Sequence, residues 1–242
     1  MPWSDKRPGT PLWRLALYAC VRDLTRLLYI ILYRVRVRGH GNIPVSGPVL
    51  LVCNHQSNLD PPAVGCTVRS RHIEFLAKEE LFHGFLGWLI SNLNSVPIRD
   101  EGSDTGAIKE ILRRLGDGRA VLIFPEGTRS PDGAMHEFKR GVALLVKRAR
   151  CPVLPMAVEG CYDAWPRGTS FPRLTGVRIG VSYGKPIAHE ELMKDGADAA
   201  LQRLAAEVEK MRLAMRAELR AATGGRFPRP GAGDGATASA PA

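Results

Sequence analysis

Two short apolar runs constrain this chain more than any other feature: VLLVC at residues 49–53 and RAVLIF at residues 119–124. Both are short for a buried helix, and turn-forming residues follow each of them. That pattern predicts a strand covered on both faces. Covered strands need helices above and below the sheet, and helical patterns alternate with strand patterns along the chain. Helices are expected at residues 12–33, 62–68, 78–90, 104–115, 138–149 and 197–222. Strands are expected at residues 34–38, 73–77, 95–99, 152–158 and 177–183, in addition to the two runs. The fold class that follows is α/β: a largely parallel or mixed sheet flanked by helices, with an N-terminal amphipathic helical segment. In such sheets functional groups collect at the carboxyl ends of strands.

The organisation divides into a basic amphipathic segment over residues 1–34, a catalytic-sized domain over 35–222 and a tail over 223–242. The tail is Gly, Pro, Ala and Thr with little to bury, so it is expected to be disordered. At 45 % hydrophobic residues, 242 residues are enough for one large domain with a sizeable core. The net charge of +10 calls for anionic company, whether phospholipid, phosphorylated substrate or nucleic acid. Five cysteines with no C-x-x-C pair argue against a disulfide frame or a zinc site.

Residues 1–10 lack the apolar stretch of a signal peptide. Trp13, Leu17, Cys20, Val21, Leu24, Leu28, Ile31 and Leu32 then recur at helical spacing, with Arg14, Arg22, Arg26, Tyr29 and Tyr33 on the other side. A basic amphipathic helix of this kind either lies in a membrane interface or packs on its own domain. Residues 1–38 hold eight Lys/Arg against two Asp, which favours an anionic leaflet. Leu81, Phe82, Phe85, Leu86, Trp88 and Leu89 make residues 78–90 apolar on most sides. That stretch is read as a buried helix or as the lining of a hydrocarbon groove.

Two polar clusters follow the two central strands. In the first, His55 ends the run of Val49–Cys53, and Asp60 comes five residues later, directly before Pro61. A bend between them would fold the carboxylate onto the imidazole, the pairing a general base needs. Asp60 equally suits a helix N-cap, and the spacing alone arises by chance in about one chain in four of this composition. In the second cluster Pro125, Glu126, Gly127, Thr128, Arg129 and Ser130 follow Phe124, with Lys139 nearby. With Arg99 at its own strand end, these residues offer fixed cations where strand ends converge, suited to a phosphate. A loop closed by an internal Glu126–Arg129 salt bridge is the plainer alternative.

Asn54-His55-Gln56-Ser57-Asn58-Leu59-Asp60 resembles the NHxxxxD block of the glycerolipid acyltransferases, and Phe124 to Ser130 resembles their FPEGTRS block without a mismatch. Val96-Pro97-Ile98-Arg99 falls at the family's arginine block as a loose match, and Val153 to Val158 resembles its fourth block. Within the family the resemblance is greatest to the 1-acyl-glycerol-3-phosphate acyltransferases. It implies acyl transfer from acyl-CoA or acyl carrier protein to the free hydroxyl of lysophosphatidate, giving phosphatidic acid. It implies His55 as base and Asp60 as its orienter. Arg99, Glu126, Gly127, Thr128, Arg129 and Lys139 would hold the acceptor. No metal or other cofactor is called for. The enzyme is expected on the anionic cytoplasmic face of the inner membrane, with no nucleic-acid partner.

Other readings remain at this point. A covalent intermediate would need Ser57 or Cys53, but there is no G-x-S-x-G elbow and Cys53 lies in an apolar run. A non-enzymatic basic module rests on charge alone, since dinucleotide and P-loop motifs are missing. The same chemistry on another lyso-lipid, such as a lyso-ornithine lipid, or on glycerol phosphate stays open.

Overall fold

The computed structural model describes residues 10–98 and 104–235. The element order is α1 (Leu12–Tyr33), β1 (Arg36–Arg38), β2 (Val49–Cys53), α2 (Asp60–Thr67), β3 (Ile73–Lys78), α3 (Gly84–Asn92), β4 (Ser95–Ile98), α4 (Asp104–Gly116) and β5 (Ala120–Ile123). There follow α5 (Gly141–Ala149), β6 (Val153–Glu159), α6 (Cys161–Ala164), β7 (Gly180–Tyr183), α7 (His189–Leu192) and α8 (Ala197–Ala222). The strands form one sheet in the order β1-β7-β6-β2-β5-β3-β4. β6, β2, β5, β3 and β4 run parallel, while β7 pairs antiparallel to β6 and carries β1 parallel to itself. The sheet is therefore mixed, with the reversed pair at one edge.

β2 sits between β6 and β5, with Leu51 level with Leu154 on one side and Leu122 on the other. Side chains alternate across a strand, so Val49, Leu51 and Cys53 enter one core layer and Leu50 and Val52 the other. The first layer takes Tyr29 and Tyr33 of α1 and Ala63 and Val64 of α2. The second takes Ile108, Ile111 and Leu115 of α4, Leu145 and Val146 of α5, and Leu204 and Val208 of α8. Each fully buried aliphatic side chain contributes about 1.5–3 kcal/mol relative to exposure. This explains why the apolar runs were so legible: nothing polar is tolerated on either face.

Two expectations need correction. Residues 78–90 are not a buried helix. Glu79–Leu81 is a single 3₁₀ turn, and α3 starts only at Gly84, where φ is +59°. Gly87 is its one buried residue, and Phe85 is 77 % exposed. The tail is ordered as far as Gly235. Phe227 packs on the first core layer, and Asp234 pairs with Arg216 at 2.7 Å and Arg220 at 2.6 Å. Such a segment cannot bury enough of its own surface to fold alone, but arginines of α8 hold it. Residues 236–242 lie outside the described residues.

The structure also decides how α1 is turned. Its tyrosine side faces inward. The Tyr29 hydroxyl donates to Leu59 O at 2.8 Å, and Tyr18 stacks on His72 with ring centroids 4.0 Å apart. Leu24, Leu28 and Ile31 stand exposed with Trp13, Leu27 and Ile30. Of the two readings of this helix, the apolar side is the one turned outward. α3 lies beside it, joined where the Arg14 guanidinium donates to Ser91 O at 2.9 Å. Phe85, Leu86 and Trp88 are also exposed. No helix among the described residues is long and apolar enough to cross a membrane.

Candidate active site

β2 ends at Cys53, and the next residue fixes the strand end. Buried Asn54 donates from its amide to Val158 O at 3.0 Å and accepts from Val158 N–H at 2.9 Å. This two-point clamp to β6 does in side-chain chemistry what a further ladder step would do in backbone. His55 then leaves the sheet at its carboxyl end. Its ring stacks on Phe124, at the end of β5, with centroids 4.0 Å apart and planes 17° from parallel. Its carbonyl accepts the Ser130 N–H at 2.8 Å.

The chain bends after His55 and returns Asp60 to it. Asp60 is fully buried, and its Oδ2 lies 2.7 Å from His55 Nδ1. The same oxygen accepts the backbone N–H groups of Gln56 at 2.5 Å and Ser57 at 2.7 Å. Asp60 therefore does not cap its own helix; it closes the bend that precedes it. Its other oxygen, Oδ1, is buried with no hydrogen-bond partner among the described residues. Because the carboxylate only accepts, Nδ1 carries the hydrogen, and the lone pair falls on Nε2. Nε2 has no partner among the described residues, and the ring keeps some exposure. An oriented imidazole with a free lone pair at the carboxyl end of the central strands can take a proton from a bound hydroxyl.

The covalent candidates are spent elsewhere. Ser57 Oγ donates to Trp165 O at 2.8 Å. Cys53 is buried, and burial, with the charges of Asp60 and Glu126, pushes its thiol well above the usual range. A buried thiol of that kind is inert as a nucleophile.

The turn after β5 puts Glu126 where the sequence did not predict. Its carboxylate points inward, with Oε1 accepting the His55 N–H at 2.7 Å and Oε2 accepting the His136 N–H at 2.9 Å. Burial pushes its pKa up to about 7, opposed by those two donors and the two imidazoles. Each oxygen is engaged by a backbone donor, and Glu126 forms no salt bridge with Arg129 among the described residues. It ties the two polar clusters together.

Gly127 adopts φ +69° in a turn closed by its N–H to Phe124 O at 3.0 Å. A Cβ there would lie 2.3 Å from Lys139 Cε and 2.5 Å from Nζ, so the Lys139 side chain runs across the glycine. Lys139 is anchored by its own N–H to Pro125 O at 2.9 Å. Thr128 is exposed and accepts a hydrogen bond from Arg167 at 3.4 Å. Arg129 is half-buried. Arg129, Lys139 and Arg167 form no ion pair among the described residues, which leaves unneutralised cations around the turn. Arg99 lies outside the described residues; β4, which precedes it, ends at the same side of the sheet as β2.

Sequence reasoning missed Arg167 and a buried charge cluster beneath the bend. Gln56 donates from Nε2 to Glu159 at 3.1 Å, and Glu159 accepts from Arg212 at 2.9 Å and Arg216 at 2.7 Å. The signal was present. Leu204, Val208, Arg212 and Arg216 recur every four residues on α8, so two arginines sit in an apolar row and demand a buried acid.

The family pattern described as Acyltransferase matches residues 34–159. A chloroplastic 1-acyl-sn-glycerol-3-phosphate acyltransferase, LPAT1 of Arabidopsis thaliana, is 32 % identical over 57 % of this chain and 39 % of its own length. The alpha form of that enzyme from Bos taurus is 31 % identical over 75 % of this chain and 63 % of its own. This chain thus spans between about two fifths and somewhat under two thirds of the curated relatives it matches. The crystal structure of the 1-acyl-sn-glycerophosphate acyltransferase PlsC from Thermotoga maritima superposes with a TM-score of 0.65 at 30 % identity, over 80 % of both chains. The paired clusters at the ends of β2 and β5, the matched residues 34–159 and the shared fold place this chain in the acyltransferase family.

Proposed function

We propose that this protein acylates the free hydroxyl of 1-acyl-glycerol-3-phosphate, using a thioester donor, to give phosphatidic acid. The observation that carries the reading is the 2.7 Å contact between Asp60 and His55 Nδ1. It leaves Nε2 free beside a turn bearing unpaired cations. The relatives named as 1-acyl-sn-glycerol-3-phosphate acyltransferases support the acceptor.

In this reading the acceptor's phosphate meets Arg129, Lys139 and Arg167. Its hydroxyl hydrogen-bonds to His55 Nε2. Nε2 takes the proton as the oxygen attacks the thioester carbonyl, a role worth typically about 10²- to 10⁴-fold. Asp60 stabilises the imidazolium. The tetrahedral intermediate then collapses: the ester C–O bond remains, the C–S bond breaks, and the thiolate takes the proton from Nε2. The donor is already activated, so the reaction needs no other cofactor. Positioning by the cations supplies a further large part of the rate.

The substrates are amphiphiles, and the outward apolar faces of α1 and α3 suit a bilayer interface. The protein sits on an anionic leaflet, that of the cytoplasmic face, with these helices in the interface. The test is an acceptor panel with purified protein: lysophosphatidate, glycerol 3-phosphate, lysophosphatidylcholine and a lyso-ornithine lipid, each with wild type and His55→Ala. Preferred turnover of lysophosphatidate, lost in the folded variant, is expected. Equal rates in both proteins would remove His55 from the mechanism, and preference for another acceptor would replace the substrate.

A further inference from the structure

A cleft of about 450 Å³ opens beside the candidate active site and takes no part in the acceptor reading. That volume falls in the usual range for small-molecule sites, about 300–1,000 Å³. Its walls are the Asp132–Gly133 loop, α6, residues 166–173, Arg216 of α8 and the ordered tail from Arg229 to Gly233. Two hydrogen bonds tie these walls to the neighbours of His55. Gln56 donates to Gly133 O at 3.1 Å, and Ser57 donates to Trp165 O at 2.8 Å.

The charges in the cleft are unevenly committed. Arg216 is taken by Glu159 and Asp234, and Asp132 by His136. Arg173 and Arg229 are exposed and join no ion pair among the described residues. Both stand against the Phe227 ring, their guanidinium carbons 5.3 and 5.5 Å from its centroid. Both arginines line the cleft and share this ring as a neighbour. Asp163 is the opposing carboxyl; it accepts the Arg229 N–H at 3.2 Å, and burial raises its pKa. Phe171 lines the same cleft and is 86 % exposed, an apolar ring with nothing packed on it.

Two unpaired guanidiniums suit phosphate oxygens, and a bare aromatic ring suits a flat base. We infer that this cleft takes the nucleotide end of acyl-CoA, with Arg173 and Arg229 on its phosphates, Phe171 against the adenine, and the pantetheine arm leading past Gly133 toward His55. The inference rests on the acyl-transfer reading and specifies its donor: a carrier protein presents pantetheine phosphate without adenosine and leaves the cleft unfilled.

Wild type, Phe171→Ala and the double variant Arg173→Gln/Arg229→Gln are titrated with adenosine 3′,5′-bisphosphate by calorimetry, which reads binding without turnover. Kinetics with palmitoyl-CoA and with palmitoyl-pantetheine follow. The double variant is expected to bind the bisphosphate about ten-fold more weakly and to raise KM for palmitoyl-CoA about ten-fold. KM for lysophosphatidate and the rate with palmitoyl-pantetheine stay at wild-type values. Phe171 packs on nothing, so Phe171→Ala reports the same trend without a risk of misfolding. Unchanged KM for palmitoyl-CoA overturns the assignment, as does a rise confined to lysophosphatidate. If wild type binds the bisphosphate and the variants lose it, the cleft assignment stands even where lysophosphatidate is not acylated. Transfer without bisphosphate binding rejects the cleft alone.

Discussion

Glu126 grips the peptide N–H of His55 at 2.7 Å, so the acidic residue of the second cluster acts on the backbone of the first. Its other oxygen holds the His136 N–H. Glu126→Gln replaces one acceptor oxygen by a donor and sets it against a buried N–H, at a cost of about 1–3 kcal/mol. Burial raises this carboxyl to about 7, so the folded protein keeps a proton there that the unfolded chain has already released. That contribution to stability is full at pH 4 and is lost as pH rises toward 7. Thermal melts at several pH values should therefore show wild type losing more stability than Glu126→Gln over that interval. Parallel curves would contradict the shift.

Asp60→Asn keeps the size of the side chain but faces His55 Nδ1 and two backbone N–H groups with an amide. Either the wrong tautomer of His55 forms or one donor goes unpaired. kcat should fall by about 10²–10⁴-fold with little change in KM, measured by steady-state acyl transfer. A loss seen only in KM would move Asp60 out of the chemistry.

Gly127→Ala strains a residue at φ +69° and drives a methyl into the Lys139 side chain. The expected loss is about 1–2 kcal/mol of stability, with a raised KM for the acceptor because Lys139 is displaced. Gly127→Ala with an unchanged KM would separate Lys139 from acceptor binding.

Arg212→Met leaves Glu159 with one guanidinium fewer in a fully buried site. Removing one partner from a buried ion cluster costs about 3–5 kcal/mol. Denaturant unfolding should show that loss. The tail should loosen with it, since Arg212 also donates to Gly233 O at 2.8 Å. Proteolysis near Gly235, sampled in both proteins, reads this second effect.

Leu28→Glu with Ile31→Glu puts two charges on the outward face of α1 without touching the core. Sedimentation with phosphatidylglycerol vesicles should fall about ten-fold or more, while the melting temperature stays within a few degrees. Undiminished sedimentation would take α1 out of the interface.

The parallel core of the sheet and both polar clusters were legible because their signals are local. β2 and β5 are buried on both faces, so every residue of each had to be apolar, and a polar cluster after such a run can only be at a strand end. His55 and Asp60 are five residues apart, and the bend between them is written in the prolines that follow. What the sequence left open is what distance in the chain conceals. Glu126 is an acid in a motif; only the packing of the β5 turn against the end of β2 turns it to the His55 N–H, 71 residues earlier. α1 shows an apolar side and a tyrosine side, and either could face inward; the Tyr29 bond to Leu59 and the packing on α2 decide it. The tail looked disordered because composition measures what a segment can bury by itself, and this one is held by arginines of another element. Local chemistry fixed which residues are strand, turn and base, and the long-range closure of the sheet decided which of them meet.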